Sequence, residues 1–257
     1  AININNSGVV DAELYLNKCT ITYNSAKQGG ALSQEAGNCS MTVNEDIILS
    51  HNKATLTTTD PSSSESLRVL GGCIYVYQGT VTLNGCTLDN NTVEEGGPDG
   101  NGHGGAIYIG YNVDATNTKV IVPAGREVTM HHNSSLNDGG AIYIRTGSLD
   151  VKGKLILYNN VSQNEAGAVY INSGDLTIAD CVVHNNSAKS NGGAMSIQGG
   201  NITFTKGEIY DNQSGTSGGA VYVGNNSGEQ KDIQLSGDGV FRNNSAVQGG
   251  GIYVSGD

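Results

Sequence analysis

The sequence predicts an all-β solenoid, a parallel β-helix with three strands in each coil. Three observations predict it. A glycine pair followed by a small residue recurs eight times, a second signature of apolar residue, two variable positions and Asn recurs between successive pairs, and no segment carries helical periodicity. The composition agrees: 38 Gly with only 3 Pro, no Trp and 14% charged residues describe regular, tightly turned β-structure. Aliphatic and Tyr residues are spread evenly, which argues against a disordered chain.

The first strand of a coil starts at the glycine pair, whose second member is Gly30, Gly72, Gly105, Gly140, Gly167, Gly193, Gly219 or Gly250; Ala166 replaces the first Gly once. The next residue is small: Ala31, Cys73, Ala106, Ala141, Ala168, Ala194, Ala220 or Gly251. Two aliphatics then flank one variable position, as in Ile107-Tyr108-Ile109, the alternation of a strand with one face inward. The pair reads as a backbone turn with φ > 0 that a side chain would block, opening onto a crowded corner.

A second short strand follows, as in "GTVTLNG" and "GDLTIAD". The third carries the apolar residue (Ile21, Leu49, Leu88, Met130, Leu157, Val183, Ile209, Phe241) and ends at Asn24, Asn52, Asn91, Asn133, Asn160, Asn186, Asn212 or Asn244. Stacked coils bring equivalent residues to about 4.8 Å, so these asparagines are expected to form a structural ladder, amide to amide. Their side chains would also satisfy turn backbone groups. About eight coils would make a rod about 35–40 Å long.

The cysteines follow the same register. Cys19, Cys86 and Cys181 stand where other coils have Ile47, Val128 and Leu155, Cys39 is matched with Val81, Leu149, Leu176 and Ile202, and Cys73 takes the small corner position. Five thiols at interior sites read as buried small hydrophobes rather than a disulfide framework, and none has zinc-ligand spacing.

One β-helix domain is expected over 1–257, a fragment of a longer chain, since both ends cut a coil without a complete cap and Leu14 and Leu16 take the positions of Val81 and Leu83. Insertions interrupt the period at 53–70, 92–103, 110–118 and 224–231. They are either tolerated surface loops or the places where a ligand is met.

The net charge of −11 with no basic cluster argues against nucleic acid and anionic membrane surfaces, and no apolar run is long enough to insert into a bilayer. The variable position of the glycine strand holds Tyr75, Tyr108, Tyr143, Tyr170, Tyr222 and Tyr253, with Ser33 and Ser196 as exceptions. Pointing away from the core, these Tyr form an outward column, either stacked support for the sheet or a surface for sugars or a partner. Asp60, Glu65, Asp99 and His103 in the insertions complete this possible ligand surface. Glu94, Glu95, Asp99 and Asn101 are a candidate Ca²⁺ group, against a plain acidic turn. His103 with Asp99 is a candidate acid–base pair. His131 and His132 are adjacent on a strand, where alternation sends them to opposite faces and rules out a paired metal ligand. No catalytic residue, metal or cofactor is expected. Thr82, Thr177 and Thr203 align, but Asp150 interrupts the dense array an ice-binding face would need. Several Asn-x-Ser/Thr sites occur; those at Asn133, Asn160 and Asn212 fall on ladder residues and are expected to be inaccessible.

The paired signatures apolar-x-x-Asn and Gly-Gly-Ala-[Ile/Leu/Val] resemble the repeats of the chlamydial polymorphic outer-membrane proteins and of adhesin-like surface proteins of gut bacteria and archaea. The resemblance covers essentially the whole chain, departing from the chlamydial pattern in having Phe at the apolar position only at Phe241. It implies a right-handed β-helical stalk or autotransporter-like passenger outside a bacterial or archaeal cell, binding glycans or proteins of a host or neighbouring cell without catalysis. Anchoring by a Gram-negative barrel and attachment to a wall both remain open. Two other readings stand beside it: a polysaccharide lyase or hydrolase, whose fold type this also is, and a fibre stacking end to end on copies of itself. "GHG" at Gly102 to Gly104 resembles a polygalacturonase element, but its Asp cluster and basic clamp are missing.

Overall fold

The computed structural model describes residues 2–5, 11–36, 39–56, 68–94, 102–111, 117–224 and 233–255. All the secondary structure there is β, and every paired strand is parallel to its neighbour. The chain is a β-solenoid. No helix is long and apolar enough to cross a membrane.

The glycine strands form one nine-stranded sheet, running from Ile2–Ile4 through Leu32–Gln34, Ile74–Val76, Ile107–Ile109, Ile142–Ile144, Val169–Ile171, Met195–Ile197 and Val221–Val223 to Ile252–Val254. Its register is one residue to one residue, so Ile74, Ile107, Ile142 and Val169 make one inward column. The second and third strands of the sequence reading lie in a fourteen-stranded sheet. They merge because Ser148–Tyr158 and Asp175–His184 run through the bend that elsewhere separates them, with a register shift between Val151 and Lys154. Gly153 sits in that bend, where a Cβ would strike the carbonyl oxygens of Pro123 and Arg126.

A third sheet lay outside the sequence reading. Seven two-residue strands follow the ladder asparagines: Ser25–Ala26, Lys53–Ala54, Thr92–Val93, Ser134–Ser135, Val161–Ser162, Ser187–Ala188 and Gln213–Ser214. Two residues carry too little alternation to be seen as a strand. A further pair, Val69–Leu70 with Gly102–His103, joins the ends of the two longest insertions.

Inside the sheets the core is a stack of aliphatic columns. Leu14, Met41, Val81, Val120, Leu149, Leu176 and Ile202 share one column, and all but Leu14 are buried. Met41, not Cys39, therefore stands opposite Val81: the sequence match placed Cys39 two residues out of register, a shift that preserves alternation and so escapes a pattern-based reading. Each fully buried aliphatic contributes about 1.5–3 kcal/mol. All five cysteines are free, four buried and Cys19 half-buried. Burial pushes the Cys86 thiol up to about 12, and Cys73 and Cys181 are raised for the same reason.

The asparagines build one continuous polar column along the apolar core. Each Nδ2 donates to Oδ1 of the next Asn, from Asn24 to Asn52 (3.0 Å), Asn91, Asn133, Asn160, Asn186, Asn212 and finally Asn244 (2.9 Å). The same Oδ1 accepts the backbone N–H of the preceding ladder residue, as Asn160 Oδ1 does from Asn133 at 3.0 Å. The second Nδ2 hydrogen of Asn52 and of every later member reaches the carbonyl of the apolar residue one coil back, such as Met130 for Asn160 and Leu157 for Asn186. The apolar-x-x-Asn signature is thus one hydrogen-bonding unit: the apolar side chain fills the core while its carbonyl takes the amide of the next coil. Asn133, Asn160 and Asn212 are essentially inaccessible, with both ends of each amide engaged.

The two glycines of the pair serve different needs. The first, as Gly139 (φ 68°), is left-handed, and Ala166 adopts the same conformation at φ 58°. The second is not left-handed; a Cβ on Gly140 would strike the Gly167 carbonyl and the Val161 backbone of the next coil. It is a contact between backbones that no side chain fits.

Candidate functional site

The corner at the end of the third strand sets out two rows of side chains. In apolar-x-x-Asn the second variable residue is left-handed: Tyr23, His51, Asn90, His132, Asn159, Asn185, Asp211 and Asn243 have φ of 51–57°. The first still belongs to the strand and faces outward, and the register aligns Ser50, Asp89, His131, Tyr158, His184, Tyr210 and Arg242. Four of these rings stack continuously. Centroids lie 4.7 Å apart for His131–Tyr158, 5.2 Å for Tyr158–His184 and 4.8 Å for His184–Tyr210, with planes within 13°. The Arg242 guanidinium caps the stack 3.9 Å from the Tyr210 ring. The rings are half-buried and open to solvent at their edges. Partial burial lowers the His184 pKa, Asp211 opposing and Arg242 adding to the shift. The sequence reading missed this column, although its signal was present: the residue after the apolar position is His, Tyr, His and Tyr in four successive coils.

The other tyrosine column is not the open surface that alternation implied. Its side chains do point away from the core, but Tyr75, Tyr108, Tyr143 and Tyr170 are buried in a second apolar cluster with Leu70 and Ala166, against which Tyr77 and Tyr111 pack. Burial pushes Tyr108 up to about 12 and raises Tyr75, Tyr143 and Tyr170 further. As a ligand surface these four are corrected to packing residues, because residues next to the insertions cover them. Tyr222 and Tyr253 stay half-exposed and stack at 5.8 Å. At the two exceptions a carboxylate takes the hydroxyl: Ser33 donates to Glu35 (3.4 Å) and Ser196 to Glu165 (2.7 Å).

Beside this cluster is a cleft of about 400 Å³ lined by Gln28, Glu35, Tyr75, Tyr77 and Tyr111. Tyr111 stacks on Tyr77 at 5.5 Å and lies under the guanidinium groups of Arg68 (4.9 Å) and Arg145 (5.3 Å).

His103 lies in a strand rather than in a loop. It is 9% exposed, its ring tilted against Tyr143 with centroids 4.4 Å apart, and its Nδ1 is 3.3 Å from Asp138 Oδ2. Its carboxylate partner is Asp138, from the next coil, which the sequence reading did not single out. Asp60, Glu65, Glu95, Asp99 and Asn101 lie outside the described residues, so of the candidate Ca²⁺ group only Glu94 is placed, paired with Lys53 at 3.0 Å.

The expectation for His131 and His132 is overturned. The left-handed turn at His132 (φ 54°) ends the alternation and swings its ring to the side that His131 occupies. The two Nδ1 atoms are 2.8 Å apart, and Asp89 Oδ1 lies 2.9 Å from the first and 3.9 Å from the second. These three residues form a group whose ligand atoms all lie within 4.8 Å, the one such group of three among the described residues.

Comparison with known families matches residues 238–255 to the Chlamydia polymorphic membrane protein repeat. That stretch carries the Phe241-x-x-Asn244 and Gly249-Gly250 signatures. No curated protein and no solved structure matches the chain.

Proposed function

We propose that this chain is part of a non-catalytic, adhesin-like stalk displayed at the surface of a bacterial or archaeal cell. The solenoid is read as right-handed, with three principal strands in each of about eight coils. Its contact surface is the outer row His131, Tyr158, His184, Tyr210 and Arg242, and its partners are glycans or proteins of a host or neighbouring cell. The observation that carries the reading is that row: four stacked rings with open edges, capped by a cation, on a scaffold otherwise devoted to repetition. Half-exposed Tyr, His and Arg side chains present an apolar body with hydrogen-bonding tips, which suits protein surfaces and the hydroxyl groups of glycans. The match of 238–255 to a membrane-protein repeat supports display at a surface. His103, packed beneath Tyr143, contributes to the fold here rather than to acid–base chemistry.

The test is a glycan and cell-surface protein array probed with the native chain and a Tyr158→Ala/Tyr210→Ala variant, with turnover of each bound glycan measured in parallel. Retained binding that falls at least tenfold in the variant is expected. Cleavage of a glycan without durable binding would overturn the reading in favour of a carbohydrate-active enzyme.

A further inference from the structure

We propose that Asp89, His131 and His132 bind a divalent transition-metal ion through Asp89 Oδ1 and the two histidine Nδ1 atoms, with the remaining coordination positions open to solvent. The inference does not rest on adhesion, although His131 also begins the outer row; it rests on how the corner places three donors.

The geometry has the right size. With the three atoms 2.8, 2.9 and 3.9 Å apart, a point exists about 2.0 Å from all of them, the usual distance from a divalent transition metal to imidazole nitrogen and carboxylate oxygen, and it lies near the plane of the three donors, as in three corners of a square-planar site. The ring planes are 83° apart, so the two imidazoles are not stacked face to face against each other. Two imidazoles and one carboxylate suit zinc, copper and nickel, whereas calcium and magnesium favour oxygen alone.

Without a cation the contacts compete. One proton on His131 Nδ1 cannot align both with His132 Nδ1 and with Asp89 Oδ1. Protonating both rings instead sets two N–H groups against each other. A metal ion replaces these conflicts with three donor bonds.

The surroundings hold the donors in place. Asn90 Nδ2 donates to Asp89 Oδ1 (2.6 Å) and Ser50 Oγ to Oδ2 (3.3 Å), fixing the carboxylate. His131 is clamped against Tyr158 at 4.7 Å. Metal on His132 Nδ1 leaves the ring proton on Nε2, 3.1 Å from the Asn159 amide, whose oxygen accepts it once the amide is turned. His132 is about half exposed and gives the ion an entry path. In the sequence neither coil neighbour repeats the trio: Ser50-His51 precedes it and Tyr158-Asn159 follows, so the site belongs to one corner and not to the repeat.

The test titrates Zn²⁺ into chelator-treated chain by calorimetry and records the electron paramagnetic resonance spectrum of the Cu²⁺-loaded chain. The variant is His132→Asn, which installs the residue that the next two coils carry at this corner and so keeps the fold. About one ion per chain at micromolar affinity is expected, weakened at least tenfold in His132→Asn and in Asp89→Asn, and unchanged in His184→Ala. Nitrogen splitting from two imidazoles should fall to one in His132→Asn. Affinity weaker than millimolar, or a His132→Asn chain that binds and splits as the native one does, would overturn the proposal.

Discussion

Replacing Asn160 tests whether the asparagine ladder is structural in an energetic sense. Its side chain makes four buried contacts: Nδ2 donates to Met130 O and Asn186 Oδ1, and Oδ1 accepts from the backbone and side-chain amides of Asn133, all at 3.0 Å. Asn160→Ala removes all four. Asn186 Oδ1 keeps its bond from the Asn160 backbone, but the Asn133 N–H loses its ladder acceptor, one Asn133 amide hydrogen is stranded and the Met130 carbonyl loses its amide. At about 1–3 kcal/mol for each of the three buried groups left without a partner, the expected loss is about 3–9 kcal/mol. Asn160→Asp is the sharper variant, since it keeps the shape and turns the donor into an oxygen facing two other oxygens. It should cost at least as much at neutral pH. Asn24, half-buried at the start of the described ladder, donates to Thr22 O and Asn52 Oδ1, and its alanine variant should lose about 1 kcal/mol. Urea unfolding followed by circular dichroism and tyrosine fluorescence provides the measurement, with midpoint and slope both reported because stacked coils need not unfold in one step. If the Asn160 and Asn24 variants lost the same stability, or Asn160→Asp were neutral, the ladder would be decoration on a core held by its aliphatics.

The two glycines of a pair should differ: Gly139→Ala, whose strain Ala166 already tolerates one coil on, should cost about 1–2 kcal/mol, while Gly140→Ala must push the backbones of adjacent coils apart and should cost more. The reverse order in thermal or urea unfolding would refute the assignment. Thiols in the native chain at pH 8 should leave Cys73, Cys86 and Cys181 unreacted with a soluble disulfide reagent until urea unfolds it, because burial raises all three. Buried Cys and Tyr with raised folded-state pKa values contribute stability that is complete below about pH 8.5 and lost as pH climbs through 10 toward 12. Tyrosinate absorbance should therefore show Tyr75, Tyr108, Tyr143 and Tyr170 ionising only with unfolding; smooth titration of all tyrosines near pH 10 would contradict their burial.

Much of the fold was legible because a solenoid turns sequence period into spatial columns. A residue's place in the repeat fixes its neighbours above and below, so eight recurrences of apolar-x-x-Asn were enough to place Asn160 beside Asn133 and Asn186. Alternation likewise told which side chains enter the core. It could not distinguish the Cys39 register from one shifted by two, since both keep the same face inward.

What lies outside the core was decided by tertiary structure. Alternation sends Tyr108 and Tyr158 alike away from the interior, yet Tyr108 is sealed under Leu70 and its neighbours while Tyr158 keeps an open edge. The covering residues flank insertions that obey no period, so no pattern locates them. His103 met Asp138 because two coils stack, and 35 residues of chain gave no sign of it. His131 and His132 came to share a side because one left-handed residue ends the strand between them. The repeat thus determined which residues stack, and the three-dimensional structure decided which stacks reach water and which donors meet, because exposure and convergence depend on the aperiodic segments and on single backbone angles.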